Sequence, residues 1–373
     1  MNIHEIPTEI ISDEEMSLID SAFSLAFAHS HSHSHSHSHS LSLSKPNIHF
    51  SSSSSCHDIE DGIGITQTQI NNKKKYESLL HRFKKKTGLF VTDITSSEWC
   101  EKQEEFYLLY GKPKASKAMK AGTARHALLE EEVITRVEVL IRSAEEHWAL
   151  KMLNFIHGTN QLILDGLTRE LPLIGFAEGV CVVGVIDEIL MTTTINSNCV
   201  PTLVETKTRS QNNLPSEPQQ RNARLQLMCY KYFWDNLLTQ PFPSQHFLEL
   251  FSLNPRYVLS KEIQEFAFQA GLPVKTLNDV LEKYQYVCSM LPETQEQLLL
   301  RYEYQEDQSL IGENRFIYDS DWVTAQIRSA LEFWKGEREA SYALEDERWK
   351  CKYCKYASNC PVNTISTQIT KQM

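Results

Sequence analysis

Three closely spaced cysteines near the C-terminal end of the chain, in the segment WKCKYCKYASNC, constrain its fold more than any other feature. Cys351, Cys354 and Cys360 have the spacing C-x2-C-x5-C, which is typical of thiolate ligands to a metal. The best candidate for a fourth ligand is Cys100, far upstream in the segment SSEWCEKQ. Four thiolates suit either Zn²⁺ or an iron–sulfur cluster, and the spacing does not choose between them. We therefore expect a site that ties the two ends of a folded domain together.

The first part of the chain differs in composition from the rest. It contains a His-Ser alternation at 29–40 and a serine run at 51–55, and such low-complexity tracts cannot bury a core. We expect residues 1–75 to be disordered, residues 76–362 to form the folded domain, and residues 363–373 to be a loose tail. Hydrophobic residues make up 41% of the chain, enough for a sizeable core, and no apolar run approaches the roughly 20 residues of a membrane helix. A membrane partner is therefore not expected.

The net charge of −11 argues against a nucleic-acid partner only at first sight, because most of the excess acid lies in residues 1–70. The remainder is nearly neutral, and local basic clusters can still attract phosphate. Solvated lysines on helix faces are an equally good interpretation of any single residue. The first cluster contains Lys73, Lys74, Lys75, Arg82, Lys84, Lys85 and Lys86, and the second contains Lys112, Lys114, Lys117, Lys120 and Arg125.

The cellular compartment can be bounded from the cysteines and the N-terminal segment. The chain has nine cysteines in an uneven scatter and no secretory leader, which indicates a reducing compartment and no disulfide framework. The first 20 residues are acidic, unlike a transit peptide. We expect the nucleus or the cytoplasm, with import into a mitochondrion or chloroplast left open.

The hydrophobic periodicity predicts an α/β domain. Helices are expected at 76–85, 96–109 and 119–150, followed by strands at 170–177, 181–192 and 200–206 with a turn at 178–179. A helix at 218–238 and a strand within QHFLELFSL come next, then strands near 298–304 and 314–318 and a helix from residue 319. This order predicts a sheet with helices packed against it.

Two of the predicted strands carry acidic residues suited to a metal. Asp187 ends the segment GVID, and Glu205 and Lys207 lie in VETKTR on the next strand. Side chains two apart in a strand share a face, so Glu205 and Lys207 point the same way. Carboxylates that converge could hold Mg²⁺, and the lysine could orient a water or stabilise charge on a phosphate. A surface ion pair on an edge strand is the alternative interpretation of E-x-K alone.

Two helical pairs add to this group. His126 and Glu130 in GTARHALLEEE are four residues apart and share a helix face, where the histidine could cap a metal site. Gln226 and Tyr230 in RLQLMCYKYF have the same spacing. The glutamine could position water or a DNA backbone, whereas packing in the core is a strong alternative for the tyrosine.

Together these elements, G-x-x-x-H-x-x-x-E, G-x-x-D, E-x-K and Q-x-x-x-Y, resemble the RecB-type branch of the PD-(D/E)XK nucleases. With the four cysteines flanking them, the chain is similar to the eukaryotic exonuclease V family over about residues 88–362. The resemblance implies a restriction-endonuclease-like core, a mixed sheet flanked by helices, with helical additions and a C-terminal cysteine cluster. The residues that fit the pattern are Gly122, His126, Glu130, Gly184, Asp187, Glu205, Lys207, Gln226 and Tyr230.

The resemblance also implies an activity, that of an exonuclease specific for single-stranded DNA in genome maintenance. It implies Mg²⁺ as cofactor, with Mn²⁺ as a substitute, held by His126, Asp187 and Glu205, and Lys207 as base or charge stabiliser. Gln226 and Tyr230 complete the implied catalytic group. It further implies a 4Fe-4S cluster ligated by Cys100, Cys351, Cys354 and Cys360.

Other features bear on substrate and partners. No G-x-x-x-x-G-K-S/T motif occurs, so the chain lacks the motor of bacterial RecB complexes and needs strands already unpaired. We expect a monomer that binds single-stranded DNA, with a single-strand DNA-binding protein as a further candidate partner. Aromatic residues are available for base stacking, although most belong in the core: Trp99, Tyr107, Tyr110, Trp234, Trp322 and Trp334.

Three alternatives stay open. The same metal core could serve a structure-specific or duplex endonuclease. The chain could also be a catalytically silent DNA-binding scaffold stapled by zinc, although Asp187, Glu205 and Lys207 argue against that. A thiol oxidoreductase that uses Cys351 and Cys354 is a weak third option, because no βαβ pattern surrounds them.

Overall fold

The computed structural model of the chain describes residues 77–133, 136–193 and 199–362, and the backbone of Leu25–Phe27. Apart from Leu25–Phe27, residues 1–75, for which disorder was predicted, lie outside the described residues, and so does the predicted tail at 363–373. Lys73, Lys74 and Lys75 of the first basic cluster lie outside as well. Within the part that is described, no helix combines the length and apolar character that crossing a bilayer requires.

The described residues form one six-stranded sheet and a separate two-stranded ribbon. In the sheet, neighbouring strands run antiparallel in three pairs, β4–β5, β5–β6 and β7–β8, and parallel in two, β2–β5 and β6–β7. The ribbon pairs β1 with β3. The strands are β1 (Leu25–Phe27), β2 (Leu89–Phe90), β3 (Arg136–Glu138), β4 (Leu167–Ala177), β5 (Val180–Thr193), β6 (Cys199–Arg209), β7 (Gln297–Tyr304) and β8 (Leu310–Ile317).

Nine α-helices and two short 3-10 segments, Glu345–Tyr353 and Ala357–Asn359, make up the rest of the regular structure among the described residues. The helices are α1 (Leu79–Lys84), α2 (Val91–Tyr110), α3 (Lys117–Glu131), α4 (Ala144–Asp165), α5 (Glu217–Thr239), α6 (Ser244–Phe251), α7 (Lys261–Gln269), α8 (Leu277–Ser289) and α9 (Ser320–Lys335). The predicted α/β class, a mixed sheet flanked by helices, is confirmed.

Three helices determine where the candidate site residues lie. α3 lies over β4 and β6, α4 packs on β4 and α8, and α5 packs on α2 and on strands β4 to β7. The rings of Phe155, Trp234 and Tyr284 are fully buried between α4, α5 and α8, with Phe155 5.0 Å from Tyr284 and 6.4 Å from Trp234. Trp234 and Trp334 are therefore core residues and cannot stack on DNA bases.

The predicted strand in QHFLELFSL is wrong, because this segment is the helix α6. Phe247 and Phe251 are four residues apart, and on a helix that spacing puts both on one face. Both rings contact Trp148 of α4, at 5.0 and 4.6 Å between centroids. Short apolar runs fit both periods, and here tertiary packing decides for the helix.

The single long helix predicted at 119–150 is also wrong. α3 ends at Glu131, and α4 begins after Ser143, with the strand β3 between them. Consecutive glutamates at 130–132 oppose the negative C-terminal end of the helix dipole, which favours termination there. The Ser143 hydroxyl accepts from the Glu146 N–H at 3.2 Å and caps the new helix.

Candidate active site

β5 and β6 separate where the two candidate carboxylates lie. Their ladder runs from Thr193 paired with Cys199 to Glu188 paired with Val204, and Asp187 and Glu205 are the next residues in the same register. Beyond the ladder, the backbone N–H of Thr206 donates to Asp187 Oδ2 at 2.8 Å. A side chain thus replaces the next ladder bond, and carboxylates from two strands meet at the opening.

The Glu205 carboxylate is fully buried, and its Oε2 has no hydrogen-bond partner among the described residues. Burial, together with the nearby charge of Asp187, raises the Glu205 pKa to about 7. Burial also raises the pKa of Asp187, and the charge of Glu170 adds to that rise. The chain therefore gathers negative charge here that it does not fully compensate.

Lys207 is held in place by two side-chain oxygens. Its Nζ lies 2.8 Å from Glu205 Oε1 and donates to Gln226 Oε1 at 3.0 Å, while Gln226 Nε2 donates to the Tyr230 hydroxyl at 3.0 Å. Strand alternation explains why Glu205 and Lys207 share a face, and helical spacing explains why Gln226 and Tyr230 do. The structure thus joins both predicted pairs in one hydrogen-bonded row.

Gly184 makes room for this row. A Cβ at position 184 would lie 2.6 Å from Tyr230 Cε1 and 2.9 Å from Val91 Cγ2, so no larger residue fits without displacing the tyrosine. The glycine of the G-x-x-D motif therefore lets the Tyr230 ring lie against β5, three residues before Asp187. Burial, together with the charges of Glu205 and Asp187, keeps the Tyr230 pKa well above its ordinary value, so the hydroxyl stays protonated.

His126 reaches the opening from α3. Its Nδ1 lies 3.1 Å from Glu170 Oε1 and 3.7 Å from Asp187 Oδ1. Ligand atoms of these three residues all lie within 4.8 Å of one another, a grouping able to hold a metal ion. Burial favours the neutral imidazole, but the charge of Asp187 and the hydrogen bond to Glu170 outweigh it and raise the His126 pKa to about 10.

Glu170 was missed by the sequence analysis, although a signal for it existed. The β4–β5 hairpin keeps one register from Ala177 paired with Val180 to Arg169 paired with Glu188, which puts Glu170 opposite Asp187. Counting back from the predicted turn at 178–179 would have identified this neighbour. The φ of Glu170 is +49°, an uncommon conformation for a residue other than glycine and one that clusters at functional sites.

Two arginines fix α3 over the sheet and so place His126. Arg169 of β4 donates to the Leu129 carbonyl at 2.7 Å and to Glu188 Oε2 at 2.8 Å, and Arg125 of α3 pairs with Glu303 of β7 at 2.8 Å. Glu130, the predicted face partner of His126, is buried one turn further along but is not part of the three-residue group within 4.8 Å.

The structure brings the four candidate cysteine ligands together around one pocket, which they line with Trp99 and Phe106. At Cys100 the helix α2 is kinked, with φ −174° and ψ 105°. Segments from opposite ends of the domain thus bring four possible metal-ligating thiols to one place.

Ion pairs join the two cysteine-bearing segments independently of any metal. Arg338 makes a bidentate contact with Glu101 at 2.5 and 2.6 Å, and the Ser341 N–H donates to the same carboxylate at 2.8 Å. Lys350 lies over the Trp99 ring at 4.2 Å. We refer to these contacts, together with the pairing of Arg221 with Glu98 and Glu347, as the clasp.

Comparisons with known proteins identify the family of this chain. A family model described as "Exonuclease V - a 5' deoxyribonuclease" matches residues 78–199, 197–271 and 272–361. The curated exonuclease V of Danio rerio is 30% identical over 289 residues, which cover 76% of this chain and 72% of that protein. A solved structure titled "Crystal structure of SSO0001" covers 73% of this chain and 85% of its own, with a TM-score of 0.34 and 14% identity, which is a loose similarity. The chain belongs to the exonuclease V family, a family of DNA exonucleases.

Proposed function

We propose that this protein is an exonuclease that digests single-stranded DNA with the help of a divalent cation, Mg²⁺ or Mn²⁺. The observation that carries the proposal is the buried Glu205 carboxylate, which lies near Asp187 and His126 and whose Oε2 has no hydrogen-bond partner among the described residues. Buried charge is strongly unfavourable unless it is compensated. A cation compensates it, and carboxylate oxygens are the ligands that Mg²⁺ and Mn²⁺ prefer.

The proposed ligands are Asp187, Glu205 and His126, and we add Glu170. A cation held there supplies polarisation of the phosphoryl oxygen and a lowered pKa for bound water. The chain's own part is positioning: Lys207 is fixed by Glu205 and Gln226, so its ammonium group can orient the attacking water or stabilise charge on the phosphate. Tyr230 holds Gln226 in turn.

For the four cysteines we propose a 4Fe-4S cluster with a structural role. Its support is that the four thiols line one pocket although they come from segments at opposite ends of the domain, together with the resemblance to a family in which this cysteine set holds such a cluster. An absorption spectrum and metal analysis of anaerobically purified protein test this. One zinc and no iron per chain would reject the cluster without affecting the nuclease proposal.

We propose a single strand as substrate, digested from its 5′ end. The carboxylates are recessed in the opening of the sheet, which a separated strand can enter more easily than a duplex. The direction follows the description of the matching family model as a 5′ deoxyribonuclease. Because no ATP-binding motif supplies unwinding, we further propose that the enzyme works as a monomer in DNA maintenance, in the nucleus or cytoplasm, on strands opened by others. A single-strand DNA-binding protein would be its partner.

The test uses linear single-stranded, duplex, flap and circular single-stranded DNA, each incubated with Mg²⁺ or with EDTA. We expect Mg²⁺-dependent loss of the 5′-labelled linear single strand and no cleavage of the circle. Cleavage of the circle would favour the endonuclease alternative. Binding without any cleavage, with Mn²⁺ as well as Mg²⁺, would favour the silent scaffold.

A further inference from the structure

Arg209, the last residue of β6, is a buried arginine that has no acidic partner among the described residues. It is 6% exposed, and its Nε has no hydrogen-bond partner among the described residues. Its one side-chain hydrogen bond there runs from Nη2 to Asn213 Oδ1 at 3.3 Å. A guanidinium is always charged, so the chain keeps a buried cation that its described residues do not neutralise.

Five arginines of the sheet, of α3 and of the clasp pair with acidic side chains instead. Each lies within 4.0 Å of at least one carboxylate although it is more exposed than Arg209, as with Arg221 at 30% side-chain exposure. The paired arginines are Arg125, Arg169, Arg221, Arg301 and Arg338. Arg209 is thus an exception that needs an anion from outside the chain.

The position of Arg209 connects it to the active site. It lies two residues beyond Lys207 on the same strand, so the two side chains share a face with Cα atoms about 7 Å apart. The backbone is fixed, because Arg209 pairs with Tyr304 of β7 and its carbonyl accepts from the Gln305 N–H at 2.8 Å. Two cations on one rigid strand match two phosphates along an extended nucleic-acid strand.

We propose that Arg209 binds a phosphate group of the DNA strand while a neighbouring phosphate is cleaved beside Lys207. This rests on the proposed function and assigns it a further binding residue. The guanidinium fork suits two phosphate oxygens at once, and burial strengthens the attraction. The phosphate is either internal or a terminal 5′-phosphate, and both offer the same chemistry to Arg209.

The first test measures how much the uncompensated charge of Arg209 lowers the thermal stability of the protein without DNA. Because methionine fills similar space without charge, Arg209→Met should raise the melting temperature of the DNA-free protein, by about 2 °C. Arg221→Met is the matched control, since it removes a charged partner from both Glu98 and Glu347 and should lower the melting temperature. A fall for Arg209→Met as large as for Arg221→Met would mean that Arg209 is only structural.

The second test measures binding of fluorescent oligothymidylate by the full-length, anaerobically purified protein, with Ca²⁺ in place of Mg²⁺. We expect Arg209→Met to weaken binding about tenfold or more and to reduce the salt dependence by about 0.7 in log–log slope, with Arg209→Lys in between. Comparing a 5′-phosphorylated with a 5′-hydroxyl oligonucleotide identifies the phosphate. If Arg209→Met binds both more weakly, Arg209 contacts an internal phosphate; if it binds only the phosphorylated one more weakly, Arg209 contacts the terminal phosphate. Unchanged affinity on both overturns the proposal. Since binding needs no cleavage, this result stands even if the wild-type protein hydrolyses no DNA.

Discussion

The opening between β5 and β6 and the clasp around the cysteines both contain buried charges, but the two regions compensate them differently. In the clasp, the Glu101 carboxylate accepts from Arg338 and from the Ser341 N–H, and Arg221 bridges two carboxylates. In the opening, Glu205 Oε2 has no hydrogen-bond partner among the described residues, and neither has Arg209 Nε, four residues further along β6.

The difference separates structure from function in physical terms. A buried group that is satisfied by its own chain stabilises one conformation, whereas one left unsatisfied costs free energy that a ligand or an ordered water can recover. The clasp therefore has the character of a structural joint. The opening and the end of β6 have the character expected of the proposed cation and phosphate sites.

The largest effect is expected from removing one of the four cysteines proposed to hold the cluster. Structural metal sites contribute folding free energy on the order of 10 kcal/mol, so Cys354→Ser should give colourless, poorly soluble protein despite an intact clasp. Cys199→Ser, at an exposed position, is the control and should keep the colour. A soluble, fully folded Cys354→Ser protein would show that the clasp alone holds the domain ends.

The next largest effect is expected on the rate of catalysis, with the stability of the protein unchanged. Lys207→Ala should lower kcat by about 10³-fold, the scale seen when a group that stabilises transition-state charge is removed. DNA binding, measured by fluorescence anisotropy, should be largely retained. Lys261→Ala, at an exposed residue of α7, is the matched control. An unchanged rate for Lys207→Ala would remove this lysine from the mechanism.

Breaking one ion pair of the clasp should affect stability rather than catalysis. The free energy of unfolding should fall, whereas the folded fraction of the protein should keep a nearly normal turnover rate. Glu101→Gln leaves Arg338 without its bidentate partner, and we expect a loss of about 2 kcal/mol in urea unfolding, because Arg338 is partly exposed. The control is Glu337→Gln, at an exposed residue next to Arg338 in the sequence, and it should change the free energy of unfolding by less than about 0.5 kcal/mol. Equal losses in the two variants would contradict the role assigned to Glu101.

Local spacing accounts for most of what the sequence could predict. E-x-K on a strand and the i, i+4 pair Gln226 and Tyr230 need only the periods of strand and helix, and the structure places them in one row. Glu170 needs the hairpin register as well. Arg209 cannot be distinguished by residue type, since only its burial and the absence of an acidic partner among the described residues mark it. The prediction of a strand for the segment that forms α6 was wrong because its apolar pattern is ambiguous and packing on Trp148 favours the helix.

The smallest expected effect tests Glu170, the residue found only through the structure. Glu170→Gln keeps the size of the side chain but removes the charge 3.1 Å from His126 Nδ1, so the imidazole is less firmly oriented and the opening attracts a cation less strongly. We expect about tenfold weaker activation by Mg²⁺, because a charged ligand becomes a neutral amide that can still coordinate through its oxygen, with kcat at saturating Mg²⁺ reduced less. Glu131→Gln, exposed at the end of α3, is the control. If Mg²⁺ titrations of the two variants coincide, the Glu170 carboxylate has no part in binding the cation, and the comparison of the two regions then depends on Glu205 and Arg209 alone.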